Sequence, residues 1–320
     1  MISPLPLNVE VIRGNNVESE HEITALVVNS KNEVVMSWGD TSKSIYPRSS
    51  IKSIQAVNIV VSGAAEKFAI TDQELALASA SHNGETDHII GVQQWLGRMG
   101  LSEQDLECGA QKQQDGFSAL FNNCSGKHAG MLASALAMGV ATRGYSQVDH
   151  PVQIAVRRTI EDFCSEKVID SNIAVDGCSI PTYFLPIKSL ALGMARFGDF
   201  EKLPPKYHLA CRRLFRAVTE YPYYIAGKDR YCTNMTVELA KRASIKTGAE
   251  GVMFASLPDL KLGLVVKAHD GAVRAAEACT TWILNELGVL SPSSLEKFLP
   301  LPLKNWNGIK TGFITVHSRE

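Results

Sequence analysis

The chain has 320 residues, 45% hydrophobic and 20% charged, which is the make-up of a protein with ample core and excludes collagenous, coiled-coil and disordered classes. Its 32 basic and 33 acidic residues give a formal net charge of -1, with no cationic surplus to neutralise a phosphate backbone or an anionic membrane, so neither is an expected partner. Seven cysteines, an odd number spread from Cys108 to Cys279, argue against a disulfide framework, and the N-terminus lacks a basic segment followed by a long apolar one; both point to a reduced, cytoplasmic setting.

Two runs, Ile23 to Val28 and Glu33 to Trp38, flank the turn-prone Asn29-Ser30-Lys31-Asn32 and predict a hairpin. After Pro47, the spacing Ile51, Ile54, Val57 predicts a helix start, and a helical stretch runs from Thr71 to the Asn83-Gly84 turn. Gly130 to Ala141, rich in Ala, Met and Gly, reads as a buried helix, far short of the ~20 residues that span a membrane. Pro151 opens a helix whose stripe is Val152, Val156, Ile160 and Phe163; further helices are predicted from Pro205 to Glu220 and from Asn234 to Arg242, the latter capped by Thr233. Gly251 to Leu257 and Leu262 to Ala268 flank Pro258-Asp259 as a second hairpin, and a helix-period segment covers Ala272 to Leu287. The expected fold is therefore α/β (α+β): one domain over 1–320, its mixed sheet built from strand-rich ends (about 1–60 and 245–320) and packed on a helical middle (about 61–244).

Common engines are missing: there is no G-x-S-x-G elbow, P-loop or H-E-x-x-H. Ser49 and Lys52 stand at i and i+3, which on a helix puts hydroxyl and amine on one face; a serine becomes nucleophilic once something takes its proton, and a lysine does so only when burial or a second cation leaves it neutral. The plainer account is a capping serine beside a solvated lysine. Far downstream, Lys246-Thr247-Gly248 stands immediately before a predicted strand, and S-x-x-K followed by K-T-G is the order used by penicillin-recognising acyl-serine enzymes, although no clear S-D-N accompanies it. Lys310-Thr311-Gly312 is a second copy, set aside because no paired strand is expected after it.

Ala80-Ser81-His82-Asn83-Gly84-Glu85 is either a helix C-cap with turn chemistry or a loop presenting a second hydroxyl, Ser81, and substrate-binding groups from His82, Asn83, Gly84 and Glu85. Arg48 is a candidate for clamping a substrate carboxylate. Cys124 and Lys127 stand at i and i+3 at a helix start, and Cys178 lies beside Asp176; the two cysteines read either as buried small side chains or as thiolates that could hold zinc, with no C-x-x-C to complete a closed site.

Taken in order, Pro47-Arg48-Ser49-x-x-Lys52, Ala80 to Glu85, Asn123-Cys124-Ser125-Gly126-Lys127-His128, Asp176-Gly177-Cys178, Lys246-x-Gly248-Ala249-Glu250-Gly251 and Asn305-Trp306 resemble the rhizobial-type L-asparaginases, also called the asparaginase II family. The resemblance implies a serine β-lactamase/penicillin-binding-protein-like fold, hydrolysis of L-asparagine to aspartate and ammonia, and a homodimer. It implies two Ser-Lys pairs, Ser49 with Lys52 and Ser81 with Lys246, and a Zn2+ ion held by Cys124, Lys127 and Cys178 next to Asp176, not necessarily essential for catalysis. Asn83 and Asn234 depart from the family pattern and bear on fine specificity. A penicillin-recognising hydrolase on the same scaffold and a non-catalytic amino-acid or metal binder are the competing classes.

Overall fold

A computed structural model describes residues 1–113 and 116–318. Strands β1 (Leu7–Arg13), β2 (Asn16–Asn29) and β3 (Val34–Trp38) come first. Helices α1 (Lys52–Val61), α2 (Asp72–Ala78), α3 (Thr86–Arg98), α4 (Ser125–Met138), α5 (Pro151–Cys164), α6 (Ile187–Gly198), α7 (His208–Glu220) and α8 (Tyr231–Glu238) follow. Strands β4 (Ser244–Gly248), β5 (Val252–Leu257) and β6 (Leu262–Ala268), helix α9 (Val273–Glu286) and strands β7 (Leu301–Lys304) and β8 (Lys310–His317) close the chain.

The two strand-rich ends meet in one sheet of order β4-β5-β6-β2-β1-β8-β7, with β3 added to β2. Each of these neighbours is antiparallel. The short segment Ile2–Ser3 pairs in parallel with Ser37 and Trp38 and makes the sheet mixed. β2 is long enough to serve three partners: Ile23 to Asn29 bond β6 on one edge, while on the other Asn16 to Ile23 bond β1 and Ala25 to Val28 bond β3.

Strands β5 and β6 read as near-continuous apolar runs because both faces of the sheet are covered. Alternation then sorts their side chains into two cores. Leu26, Val28, Phe254 and Val265 join the helical middle through α1, α4, α5, α6 and α7. Ala25, Val27, Met253, Ala255, Leu264 and Val266 face α8 and α9. No described helix is long and apolar enough to cross a membrane.

Three details differ from the sequence reading. Helix α8 begins at Tyr231, not Asn234, and ends at Glu238; Thr233 lies inside it and donates its hydroxyl to the Gly227 carbonyl at 2.7 Å instead of capping. Lys246-Thr247-Gly248 does not precede a strand but forms the edge strand β4. Lys310-Thr311-Gly312 opens β8, which pairs on both sides, with β1 and with β7, so the terminus completes the sheet.

Candidate functional site

The helical middle meets the β4 edge of the sheet at a buried polar cluster. A 3-10 turn at Arg48–Ile51 leads into α1, and it packs against β4 so closely that a Cβ on Gly248 would lie 2.8 Å from the Pro47 carbonyl oxygen and 3.1 Å from the Ser50 amide nitrogen. Only a glycine permits this approach at that position. Arg48 pays for the turn with a left-handed φ of 51°, a strained conformation for a residue with a Cβ.

Lys52, the first residue of α1, is buried and spends its three donors on the Ala80 carbonyl, on Ser81 Oγ at 3.1 Å and on Cys124 Sγ at 3.0 Å. Lys246, also buried, points from β4 to the same hydroxyl and donates to Ser81 Oγ at 2.8 Å and to the Thr247 carbonyl at 2.8 Å. Both lysines thus converge on Ser81. Ser49 is half-buried, and its hydroxyl makes no hydrogen bond among the described residues, so the Ser49–Lys52 pair anticipated from i, i+3 spacing is not formed here. The physical reason is reach: a four-carbon stem carries the ammonium past its own helix turn to acceptors on neighbouring elements.

Ser81 is fixed by its backbone. Its amide donates to Ile225 O at 2.8 Å and that of Asn83 to Ala226 O at 2.9 Å, tying residues 81–83 to the segment ahead of α8. Burial, and after it the charge of Lys52, lowers the Lys246 ammonium to about 7, with Arg230 adding in the same direction and Cys232 and Cys124 opposing. Near neutrality Lys246 is therefore divided between ammonium and free amine.

His82, Asn83, Gly84 and Glu85 serve the walls of the cluster. His82 is kept neutral first by burial and then by His88 and Lys52; it accepts from the Gly84 amide on Nδ1, so Nε2 carries the proton and donates to Ser125 Oγ at 2.9 Å. Asn83 Nδ2 donates to Glu85 Oε1 at 2.9 Å, and Glu85 also takes the Lys228 amide at 3.0 Å.

A second group lies next to the first. α4 starts at Ser125 after Cys124, and Lys127 in its first turn donates to Cys178 Sγ at 2.9 Å. Cys178 hydrogen-bonds Cys124, which, with the charges of Lys52 and Lys127, holds the Cys124 thiol well below its ordinary value against the effect of burial and keeps the shared proton on Cys178. Burial disfavours the Lys127 ammonium, but Cys124 and Cys178 outweigh it and raise the value. Arg48 Nε donates to Asp176 Oδ1 at 2.6 Å. Burial works against the Asp176 carboxylate, yet Lys127 and Arg48 hold it below the usual carboxylate range. Cys124, Lys127, Cys178 and Asp176 thus come together, while among the described residues no group of three or more His, Cys, Asp and Glu side chains forms a ready metal cage. All seven cysteines are buried free thiols.

A surface cleft of about 710 Å3, lined by Leu96, Glu103 and Leu120 among others, contains none of these groups. The sequence-predicted groups gather in the polar cluster, not in that cleft. Sequence reasoning passed over the segment 225–230 altogether, the end of a short helix (Pro222–Ala226) and the turn after it; its one signal was Gly227, and nothing in the sequence aimed that segment at Ser81.

The profile of the L-asparaginase II family matches residues 9–316, and the chain belongs to that family, whose members are amidohydrolases acting on small molecules. No curated protein matches the sequence. Among solved structures it is similar to a β-lactamase from Mycobacterium bovis, with 15% identity, 82% of this chain and 94% of that one covered and a TM-score of 0.41. It is also similar to Mglu in its native form, with 13% identity, 88% and 66% covered and a TM-score of 0.39. A candidate β-lactamase from Bacteroides dorei DSM 17855 shows 9% identity, 83% and 86% covered and a TM-score of 0.38. Likeness this remote says nothing of activity.

Proposed function

We propose that the chain hydrolyses the side-chain amide of L-asparagine through an acyl-serine intermediate. One arrangement carries the reading: Ser81 Oγ is held by two buried lysines, and burial beside the charge of Lys52 pushes one of them, Lys246, down to about 7. The fully hydrogen-bonded Lys52 then acts as the fixed cation and Lys246 as the base. Ser81 Oγ passes its proton to Lys246 Nζ and bonds to the amide carbon; the C–N bond breaks as the amide nitrogen takes that proton and leaves as ammonia. Water then attacks the ester, again giving its proton to Lys246, and aspartate departs as Ser81 regains its hydrogen. This order moves the attacking role from the Ser49–Lys52 pair to Ser81, because Ser49 has no base in contact; Ser49, in the turn packed against Gly248, is left to hydrogen-bond bound substrate. Backbone N–H groups of that turn and of β4 are the candidate oxyanion donors.

Ammonia release from L-asparagine, beside L-glutamine and D-asparagine, tests the activity. Ser81→Ala is expected to lose roughly two to three orders of magnitude in kcat and Ser49→Ala less, mainly in KM. A Ser81→Ala enzyme with near-normal turnover sinks the mechanism.

The residues also fit zinc: two facing sulfurs and an amine make a soft donor set of three with a position left open. In this proposal Cys124, Cys178 and Lys127 hold the ion, with Asp176 supporting them. To bind the ion, Lys127 must lose the proton that Cys124 and Cys178 now retain on it, and Cys178 must lose its own. Bound zinc would supply fixed positive charge beside the serine. Elemental analysis of protein prepared without chelator should find about one zinc per chain, lost in Cys124→Ser/Cys178→Ser; metal-free protein with both thiols reduced counts against the site.

A further inference from the structure

An amino-acid amide brings a free carboxylate to the Ser81 cluster, and something must recognise it. Of five basic side chains in or beside this cluster, four are committed. Lys52 has its three donors filled, Lys246 must be neutral to act, Lys127 sits on Cys178, and Arg48 is neutralised by Asp176. The fifth, Arg230, is half-buried and uses a single donor, Nη1, on Asn83 Oδ1 at 2.7 Å, two residues from Ser81. It makes no ion pair among the described residues, and its remaining guanidinium N–H groups have no partner there.

Its placement follows from the chain. Residues 81–83 bond to Ile225 and Ala226, and Gly227, at φ 112°, reverses direction where a Cβ would collide with Glu85 Oε1 at 2.6 Å and Asn83 Nδ2 at 2.7 Å. The turn through Lys228, whose amide bonds Glu85, then brings Arg230 back onto Asn83. Its charge is felt at Lys246 and at the partly buried Glu277, with neither of which it forms a contact pair.

We infer that Arg230 is the specificity-determining residue for the substrate's α-carboxylate, gripping it with the guanidinium donors that Asn83 leaves free. The inference rests on the amidohydrolase reading. A planar fork with unfilled donors is the geometry that carboxylates bind bidentately, and one end of that fork already has its orientation set by Asn83.

The test compares L-asparagine with 3-aminopropanamide, the same amide without the α-carboxylate, in wild type, Arg230→Met and Arg230→Lys. Wild type should prefer asparagine. In Arg230→Met kcat/KM for asparagine should fall about 10- to 100-fold, chiefly through KM, while the value for 3-aminopropanamide falls far less, by only what the lost charge does to Lys246; Arg230→Lys should restore part of the loss. The ratio of the two kcat/KM values is independent of how much protein is folded. An unchanged ratio in Arg230→Met overturns the inference and leaves Arg230 as a prop for the loop. If wild type releases no ammonia from asparagine, the amidohydrolase reading fails separately, and calorimetric binding of L-aspartate decides: binding by wild type and its loss in Arg230→Met support the inference, and no binding by wild type overturns it.

Discussion

Two buried lysines donate to the Ser81 hydroxyl, and in the proposed mechanism the state of Lys246 sets when that hydroxyl can react. The Lys246 value of about 7 arises from burial and from Lys52, aided by Arg230 and countered by Cys232 and Cys124. A base must be unprotonated, so kcat/KM is expected to rise with pH through a limb centred near 7, and Lys246→Arg should remove both limb and activity. A pH-rate profile from about pH 5.5 to about pH 9 checks this; a flat profile would contradict Lys246 as base. The same shift leaves the unfolded chain binding the extra proton between the folded value and the ordinary lysine value of about 10.4, so stability should rise with pH across that window.

At the scale of elements, the site depends on three backbones approaching one another: the turn at Arg48–Ile51, the edge strand β4, and the segment 81–83 with its partner 225–226. Gly248→Ala would put a methyl 2.8 Å from Pro47 O, and β4 would have to part from the turn. We expect a loss of about 1–3 kcal/mol in urea unfolding and at least a ~10-fold fall in kcat, since Lys246 moves with its strand. A variant as active and as stable as wild type would mean that the approach is irrelevant. Helix α2, in contrast, is set locally: Thr71 and Glu74 form a capping box that the sequence already displays.

At the scale of the whole molecule, the sheet separates stability from chemistry. β8 lies five strand spacings from β4, and its Ile314 is buried in the core under α9. Ile314→Ala should cost about 2–5 kcal/mol in denaturant unfolding, with kcat of the folded enzyme unchanged. A comparable drop in kcat would show that the far edge is coupled to the site.

Much of the site was legible in the sequence because its residues fall in short motifs where local chemistry is distinctive: Ser49 and Lys52, Ala80 to Glu85, Cys124 and Lys127, Asp176 and Cys178, Lys246 to Gly248. Most of those side chains do meet in one buried cluster. The hairpins and the longer helices were legible too, since period-2 and period-3.6 patterns and Gly or Pro punctuation are properties of the chain itself. Pairing was not. Sequence spacing put Lys52 with Ser49, but long stems reach whichever acceptors the packing supplies, and those were Ala80, Ser81 and Cys124. The role of Lys310-Thr311-Gly312 was hidden for the same reason, because strand partners at the other end of the chain, such as Arg13 opposite Gly312, leave no local trace. The sequence by itself determined which chemical groups this protein owns and the family it belongs to. Tertiary structure decided which serine the lysines grip, which arginine keeps free donors and how far one ammonium falls, because each depends on contacts and burial between segments remote along the chain.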